Sequence, residues 1–413
     1  MFKRVTGTKD ILAGEVSTWQ RIEEIARNTF PLYNYKEIRP PLIEEAALFN
    51  RSLGEEAEVV KKQMFLIQRE HDTFALRPEA TASVVRAYIE NSLDKTEGFT
   101  KFYYMGPMFR AERPQKGRLR QFHHIGCEAI GSTDAQLDVE IISLADKLLK
   151  NFSVSGYKIR LNSLGCLEDK KKLTQILKKK LEDKTDKLCQ DCQVRFSNNI
   201  LRILDCKNES CKEIVAKMDI GQKHLCVDCQ GHFTRVTTGL DLLGVEYTID
   251  DHLVRGLDYY TRTVFEISHE GLGAQDAIGA GGRYDNLVKD LGGPDAPAVG
   301  FAFGVERVLL AAKPEPQGAN SNLVFIVPLG DAARQESMII LNELRQQGIR
   351  ADTDYLNRSL KGAMRQADSL GVKFVVIMGD NELKSKTFTL KNMSTGEQKE
   401  LNKASLINEI RGN

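Results

Sequence analysis

The 413-residue sequence has a single tryptophan and 11 prolines. None of its apolar runs approaches the ~18 residues that span a bilayer. The opening MFKRVTGTKDIL has no apolar core of the ~7–15 residues that mark a secretion signal. No membrane association and a cytoplasmic location are therefore expected. Charge of one sign is missing too. Lys and Arg number 58 and Asp and Glu 57, a net of +1. That excludes a uniformly basic nucleic-acid coat protein but leaves room for a local basic site. There is no Gly-Lys dipeptide, hence no Walker phosphate loop, and GLGAQDAIGAGG does not fit G-x-G-x-x-G. Neither H-E-x-x-H nor G-x-S-x-G occurs, and no low-complexity tract or solenoid repeat is present.

Hydrophobic residues at 41% and charged residues at 28% allow real cores, and the length implies two to three domains. In residues 17–30, Trp19, Ile22, Ala26 and Phe30 fall at helical spacing. Residues 36–39 read as a strand stopped by Pro40 and Pro41. KFYYMGPMFR and RQFHHIGCEAIG read as an antiparallel hairpin around the polar loop AERPQKGRL. Residues 236–311 return to strands and glycine.

Between these parts, residues 168–235 read as an inserted, mostly helical module. It carries a net charge of +4 and the stripe Leu173, Ile176, Leu177, Leu181 beneath lysines 178–180. Those lysines are either a solvated helix face or a contact for a polyanion. Residues 312–322 form a Pro-containing linker. In 323–413 strands and helices alternate, which predicts an α/β domain with a largely parallel sheet.

Six of the eight cysteines lie between 189 and 229. In a chain without a secretion signal, disulfides are the weaker reading. Cys189/Cys192 and Cys226/Cys229 have zinc-knuckle spacing and are candidate ligands of a structural Zn²⁺, with Cys206/Cys211 able to supply or replace ligands. The competing reading is reduced thiols in a small helical module.

The strongest signal is arginine. Residues 101–124 hold Lys101, Arg110, Arg113, Lys116, Arg118 and Arg120 against the single acid Glu112. Arg255, Arg262, Arg283 and Arg307 stand beside glycines or aromatics elsewhere. A guanidinium is a permanently charged planar fork that fits phosphate oxygens, and several on a rigid hairpin suit a polyphosphate. Surface ion pairs would explain one such arginine but not this density.

These residues resemble a known family. EIRPPLIEE (37–45), FRAERPQKGRLRQFHHIGCE (109–128) and VGFAFGVERVLL (299–310) resemble motifs 1, 2 and 3 of class II aminoacyl-tRNA synthetases. RGLDYYTRTVFE (255–266) and AGGRYDNLV (280–288) resemble stretches specific to the histidyl-tRNA synthetase family, and LRPEATA (76–82) also fits. RSLKGAMRQADSLGVKFVVIMG (358–379) resembles part of that family's anticodon-binding domain, so the likeness covers nearly the whole chain. It implies an α+β catalytic domain with an antiparallel sheet (1–167 and 236–311), the insertion (168–235) along the acceptor stem, and an anticodon-binding domain (323–413).

The implied reaction joins L-histidine to its cognate tRNA. The histidine carboxylate attacks the α-phosphorus of ATP, with Mg²⁺ as cofactor, and a ribose hydroxyl of the tRNA takes the histidyl group. The carboxylate is already ionised near neutral pH, so the difficulty is charge accumulating at phosphorus, and fixed cations are the remedy. By resemblance, Arg110 and Arg255 hold the α-phosphate from two sides and are the catalytic pair. Phe122 and Arg307 sandwich the adenine, Glu112 lies at its edge, and Arg118 meets the outer phosphates. Glu128 and Tyr260 bind the imidazole with Tyr259 nearby, and Glu79 and Thr81 hold the α-amino group. Gln115 and Arg120 resemble residues that meet the extra 5′ nucleotide of the tRNA. Two positions depart from the family. His124, counted among the histidine-binding positions, stands where glutamine is frequent, and Ala80 stands where glycine is common.

The family is dimeric through motif 1, which implies a homodimer. Three readings compete with this one. The first is a non-catalytic, synthetase-like regulatory subunit of ATP phosphoribosyltransferase, which typically lacks the C-terminal domain and the catalytic arginine stretch. The others are a class II synthetase for proline, threonine or glycine, and a zinc-stabilised RNA-binding protein without catalysis.

Overall fold

The computed structural model describes residues 2–55, 57–218, 220–273, 276–313 and 323–412. The expected linker 312–322 lies outside them apart from its first two residues. The chain divides into two units, Met1–Lys313 and Pro314–Asn413. No helix among the described residues is long and apolar enough to cross a membrane.

The first unit is built on an eight-stranded sheet. Its strands run in the order Lys36–Glu37, Thr100–Phe109, Gln121–Ile130, Ala298–Gly304, Ala277–Arg283, Thr261–His269, Tyr157–Ser163, Thr248–Ile249. Every pairing is antiparallel except those of the two edge strands. The expected hairpin is present in full, from Thr100↔Ile130 to Phe109↔Gln121. The expected strand at 36–39 is only the two-residue edge Lys36–Glu37.

One face of this sheet is covered by the helices Ala13–Thr29, Ala135–Asn151 and Val227–Leu242. Trp19, Ile22, Leu144, Leu148, Val236, Phe301 and Phe303 share that core. Helices Ala46–Leu53 and Thr81–Glu90 and the insertion pack on the other side. The insertion contributes the helices Leu167–Leu181, Gln190–Asn198 and Glu209–Ala216. Leu173, Leu177 and Leu181 of the stripe are buried and lysines 178 and 179 are exposed. Position 235 falls inside the continuous helix Val227–Leu242, which carries the chain from the insertion back onto the first core.

The second unit is a five-stranded sheet in the order Arg350–Thr353, Leu323–Pro328, Phe374–Met378, Phe388–Asn392, Gln398–Leu401. The first three strands are parallel, as alternation implied, and the last two add an antiparallel hairpin. Helices Asp331–Gln346 and Lys403–Gly412 cover one face through Ile340, Leu341, Leu344, Leu406 and Ile410. Leu360–Ser369 covers the other through Ala363 and Ala367.

Candidate active site

Side chains alternate across a strand with a period of two, and Gln121–Ile130 uses that alternation to separate scaffold from chemistry. Ile125, Cys127 and Ala129 enter the helix-covered core. Phe122, His124 and Glu128 point the other way, into a cavity of about 200 Å³. The two adjacent histidines accordingly part company. His123 faces the helices, with its Nδ1 2.9 Å from Glu306 Oε1 and its ring edge-on to Trp19.

Glycines on neighbouring strands make the cavity floor. A Cβ on Gly300 would fall 1.8 Å from Glu128 Oε2 and 2.4 Å from the Cys127 carbonyl oxygen. A Cβ on Gly126 would fall 2.6 Å from the Tyr104 hydroxyl. Only hydrogen at these positions lets Glu128 and Tyr104 lie flat on the sheet.

Glu128 is the hub of the inner end. It accepts hydrogen bonds from Thr81 Oγ1 at 2.7 Å, Tyr104 OH at 3.2 Å and Tyr284 OH at 2.5 Å. Burial pushes its pKa up to about 8 against the pull of those donors. A carboxyl poised near neutrality can meet either nitrogen of an imidazole, as acceptor or as donor. Glu79 is also buried, and accepts from the backbone N–H of Thr81 at 2.6 Å and of Ala82 at 3.0 Å. Tyr259 and Tyr260 close the side, with ring centroids 4.7 Å apart.

His124 lies against Phe122, and its Nδ1 has no hydrogen-bond partner among the described residues. Burial, then Arg110, Arg77 and His123, push its pKa down to about 3, so the ring is neutral. The unfolded chain binds a proton there below pH ~6.5 while the folded chain does not. Stability therefore falls as pH drops from 6.5 towards 3, by at most ~1.4 kcal/mol per pH unit for one such group. Unfolding by urea at pH 7 and pH 5 should show the His124→Gln variant losing less over that interval than the parent chain. Parallel losses would contradict this environment for His124.

The cations stand at the outer end. Arg110 donates from Nε to the Pro78 carbonyl at 3.0 Å, and its guanidinium lies 5.2 Å over the Phe122 ring. Arg255 pairs with Glu266, which is also paired with Arg160. Arg118 pairs with Glu112 at 3.3 Å, and Arg307 donates to the Ala277 carbonyl at 2.6 Å. A second, outer cavity of about 660 Å³ shares Arg110, Glu112, Arg118, Arg255 and Tyr260, and reaches Arg195, Arg202 and Lys207 of the insertion.

Glu79, Thr81, Arg110, Glu112, Arg118, Phe122, His124, Glu128, Arg255, Tyr259, Tyr260 and Arg307 thus surround one cavity. Gln115 and Arg120 do not line it. Gln115 is exposed at the hairpin loop, and Arg120 donates to Thr6 O at 3.3 Å.

Two expectations need correction. Arg262 and Arg283, which stand beside glycines or aromatics in the sequence and add to the arginine signal there, do not line the cavity. Arg283 is completely buried and bound to Asp138 Oδ2 at 2.5 Å, to Ser132 O at 2.7 Å and to Asp285 at 3.2 Å. Arg262 pairs with Asp285 at 3.5 Å. Arg283→Met leaves the buried Asp138 with only the His232 ring, 3.8 Å away, beside it, so it should cost ~3–5 kcal/mol in urea unfolding; a loss below ~1 kcal/mol would reject the structural role.

The second correction concerns Cys189, Cys192, Cys226 and Cys229. The two pairs do not meet. Cys189 and Cys192 join Cys206 and Cys211, whereas Cys226 and Cys229 join Cys166 and Asp169.

The sequence reading missed the residues that hold the named ones. Tyr104 and Tyr284 serve Glu128, and Glu266 anchors Arg255. Lys170 of the insertion donates to the carbonyls of Asp258 and Tyr260 at 2.9 and 3.0 Å. Tyr104 shares the strand parity of Phe102 and Met108, a signal within reach of the sequence. Nothing local marks Lys170.

The antiparallel sheet that brings Arg110 and Arg255, both half-buried, to the same cavity as the Glu128 network has the fold of the class II aminoacyl-tRNA synthetases. The family model described as histidyl-tRNA synthetase matches residues 7–308, and that of an anticodon binding domain matches 323–413. The chain is 45% identical over 412 residues to a histidine–tRNA ligase of Halothermothrix orenii, covering 99% of this chain and 98% of the relative. It is 44% identical over 410 residues to that of Desulforamulus reducens, covering 98% and 97%. The apo histidyl-tRNA synthetase of S. aureus superposes with a TM-score of 0.82 at 35% identity, covering 100% of both chains. The chain belongs to the histidyl-tRNA synthetase family, enzymes that charge tRNA with histidine.

Proposed function

We propose that this cavity forms histidyl-adenylate from histidine and MgATP and passes the histidyl group to tRNA. One observation carries the reading: Arg110 and Arg255, 145 positions apart in the sequence, line one cavity that also holds the buried Glu128 network. Arg110 and Arg255 act on the α-phosphate, where charge builds up as carboxylate oxygen displaces diphosphate. Arg118 attracts the outer phosphates. Phe122 and Arg307 offer stacking surfaces to adenine, with Glu112 at its edge. Glu128, Tyr259 and Tyr260 read the imidazole, and Glu79 and Thr81 the ammonium. A buried carboxyl tuned to an N–H group disfavours side chains without one, because it is left unpaired.

Mg²⁺, supplied as MgATP, would offset phosphate charge alongside Arg110, Arg118 and Arg255. For the tRNA, the net charge of +4 on the insertion and the outer-cavity residues Arg195, Arg202 and Lys207 suit a polyanion. Gln115 and Arg120 are proposed contacts of its 5′ end. In the C-terminal unit, Asp354 holds Arg358 at 2.6 Å at the start of the helix Leu360–Ser369.

A homodimer belongs to the proposal. Ile43, Leu66 and Ile67 are exposed on a three-stranded sheet of Ile43–Glu45, Asp72–Leu76 and Phe65–Arg69, whose first strand lies in the segment that resembles motif 1. Sedimentation should give twice the chain mass, and an active monomer would count against it.

The decisive assay is pyrophosphate exchange with each of the twenty amino acids, followed by charging of total tRNA. Exchange with histidine alone, and charging of one isoacceptor set, is expected. No exchange with any amino acid would favour the regulatory-subunit reading, although such a subunit has no need of a second arginine-bearing stretch or of an anticodon-binding domain.

A further inference from the structure

Seven of the eight cysteines gather in two groups that the adenylation chemistry does not use. In the first, the Sγ atoms of Cys189, Cys192, Cys206 and Cys211 lie within 4.8 Å of one another, and Cys189 and Cys206 are 3.8 Å apart. Four thiolates placed tetrahedrally at ~2.3 Å around one ion stand ~3.8 Å apart. A disulfide needs ~2.05 Å, and all eight cysteines are free. The Cys189 N–H donates to Cys211 Sγ at 3.2 Å, and Arg195 Nη1 lies 3.9 Å from Cys192 Sγ. Such donors offset the negative charge that four thiolates leave on a divalent ion.

The second group is Cys166, Asp169, Cys226 and Cys229, with ligand atoms again within 4.8 Å. Its independent signal is Asp169, which is fully buried in a mostly lysine-covered helix. Asp169 Oδ1 accepts the Cys226 N–H at 3.0 Å and lies 3.5 Å from Lys172 Nζ. Oδ2 has no hydrogen-bond partner among the described residues and lies among the thiols. An isolated buried carboxylate oxygen is costly unless a cation meets it. Gly165 makes the room, since a Cβ there would fall 2.7 Å from that oxygen.

We propose that the insertion binds two zinc ions, one held by Cys189, Cys192, Cys206 and Cys211 and the other by Cys166, Asp169, Cys226 and Cys229. Closed four-ligand sets of thiolate with at most one carboxylate suit structural zinc and not Mg²⁺. The positions assign each ion a task. The second ion ties residues 166–169, where the chain leaves the core, to 226–229, where it returns, and so fastens the base of the module. The first fixes the start of the helix Gln190–Asn198. From there Arg195 reaches the Arg202 carbonyl at 3.5 Å, Arg202 donates to Gly256 O at 2.5 Å, and Asn199 donates to Asp258 at 2.9 Å. These contacts grip the segment that begins with Arg255.

The test is metal analysis of the untagged full-length chain, purified from cells supplied with zinc and without chelators. About two zinc ions per chain are expected. Cys206→Ser with Cys211→Ser, and separately Cys226→Ser with Cys229→Ser, should each leave about one. If a double variant fails to fold, the parent chain still decides: a mercurial should release about two equivalents of zinc to a metallochromic dye. Zinc-edge absorption spectroscopy should fit mean coordination by sulfur with a minority of oxygen. Fewer than about one and a half zinc ions per parent chain, iron in its place, or a double variant with unchanged zinc content would overturn the proposal.

Discussion

Replacing Arg255 by alanine lowers histidine-dependent pyrophosphate exchange by at least ~10²-fold, the scale of removing one fixed charge from a transition state. The fold survives because the ion pair it breaks is not the last one. Glu266 keeps Arg160 as partner, so no buried carboxylate is left alone, which is the usual route to a large loss of stability. The loss should fall on kcat more than on the KM for histidine, since the guanidinium meets charge that develops at phosphorus rather than the amino acid. Arg255→Lys should recover only part of the rate, because an ammonium lacks the fork that spans two phosphate oxygens. Exchange within threefold of the parent enzyme, with circular dichroism unchanged, would remove Arg255 from the reaction.

Gly300→Ala should weaken histidine use by nearly as large a factor, through geometry instead of charge. The added methyl would overlap Glu128 Oε2 and press the backbone oxygen of Cys127. The side chain can swing aside but the backbone of a central strand cannot do so cheaply. Glu128 must then release Thr81 or Tyr284, and the imidazole site loses its shape. Overpacking of this kind costs ~1–3 kcal/mol in stability. We expect the KM for histidine to rise by ~10²-fold or more, the KM for ATP to change little, and the thermal midpoint to fall by several degrees. A histidine KM within twofold of the parent value would show that the floor is not tight.

The hairpin was legible because both of its strands are rich in aromatic residues and other strand formers, and pairing follows from a single local loop. The adenylation residues were legible only through the resemblance to the family's motifs; in the structure, strand parity carries Phe122, His124 and Glu128 to one face. Parity also explains the failures. The register shifts between Gly282 and Arg283, and such a bulge re-aims the side chain that follows. Arg283 therefore turns into the core, where Asp138 is waiting, although its sequence neighbours match those of a cavity residue. In the C-terminal unit Gln398–Leu401 escaped notice because Gln398, Lys399 and Glu400 sit exposed on an edge strand with Leu401 as its one apolar residue, although Phe388–Asn392 beside it buries the alternating Phe388 and Leu390. The cysteine partners escaped for a different reason: spacing gives each knuckle, but which knuckles meet is decided by how the helices cross.

The strand Ala298–Gly304 lies between Gln121–Ile130 and Ala277–Arg283, yet it is almost the last part of its unit to leave the ribosome. Until it arrives, the edge of Gln121–Ile130 stays unpaired while the whole insertion is translated, and once Ala277–Arg283 has been made a second bare edge joins it. Bare edges recruit other chains, and pairing this distant in sequence is slow. Ribosome pausing anywhere between codons 131 and 297 prolongs that interval, so chaperone cover during synthesis matters most there.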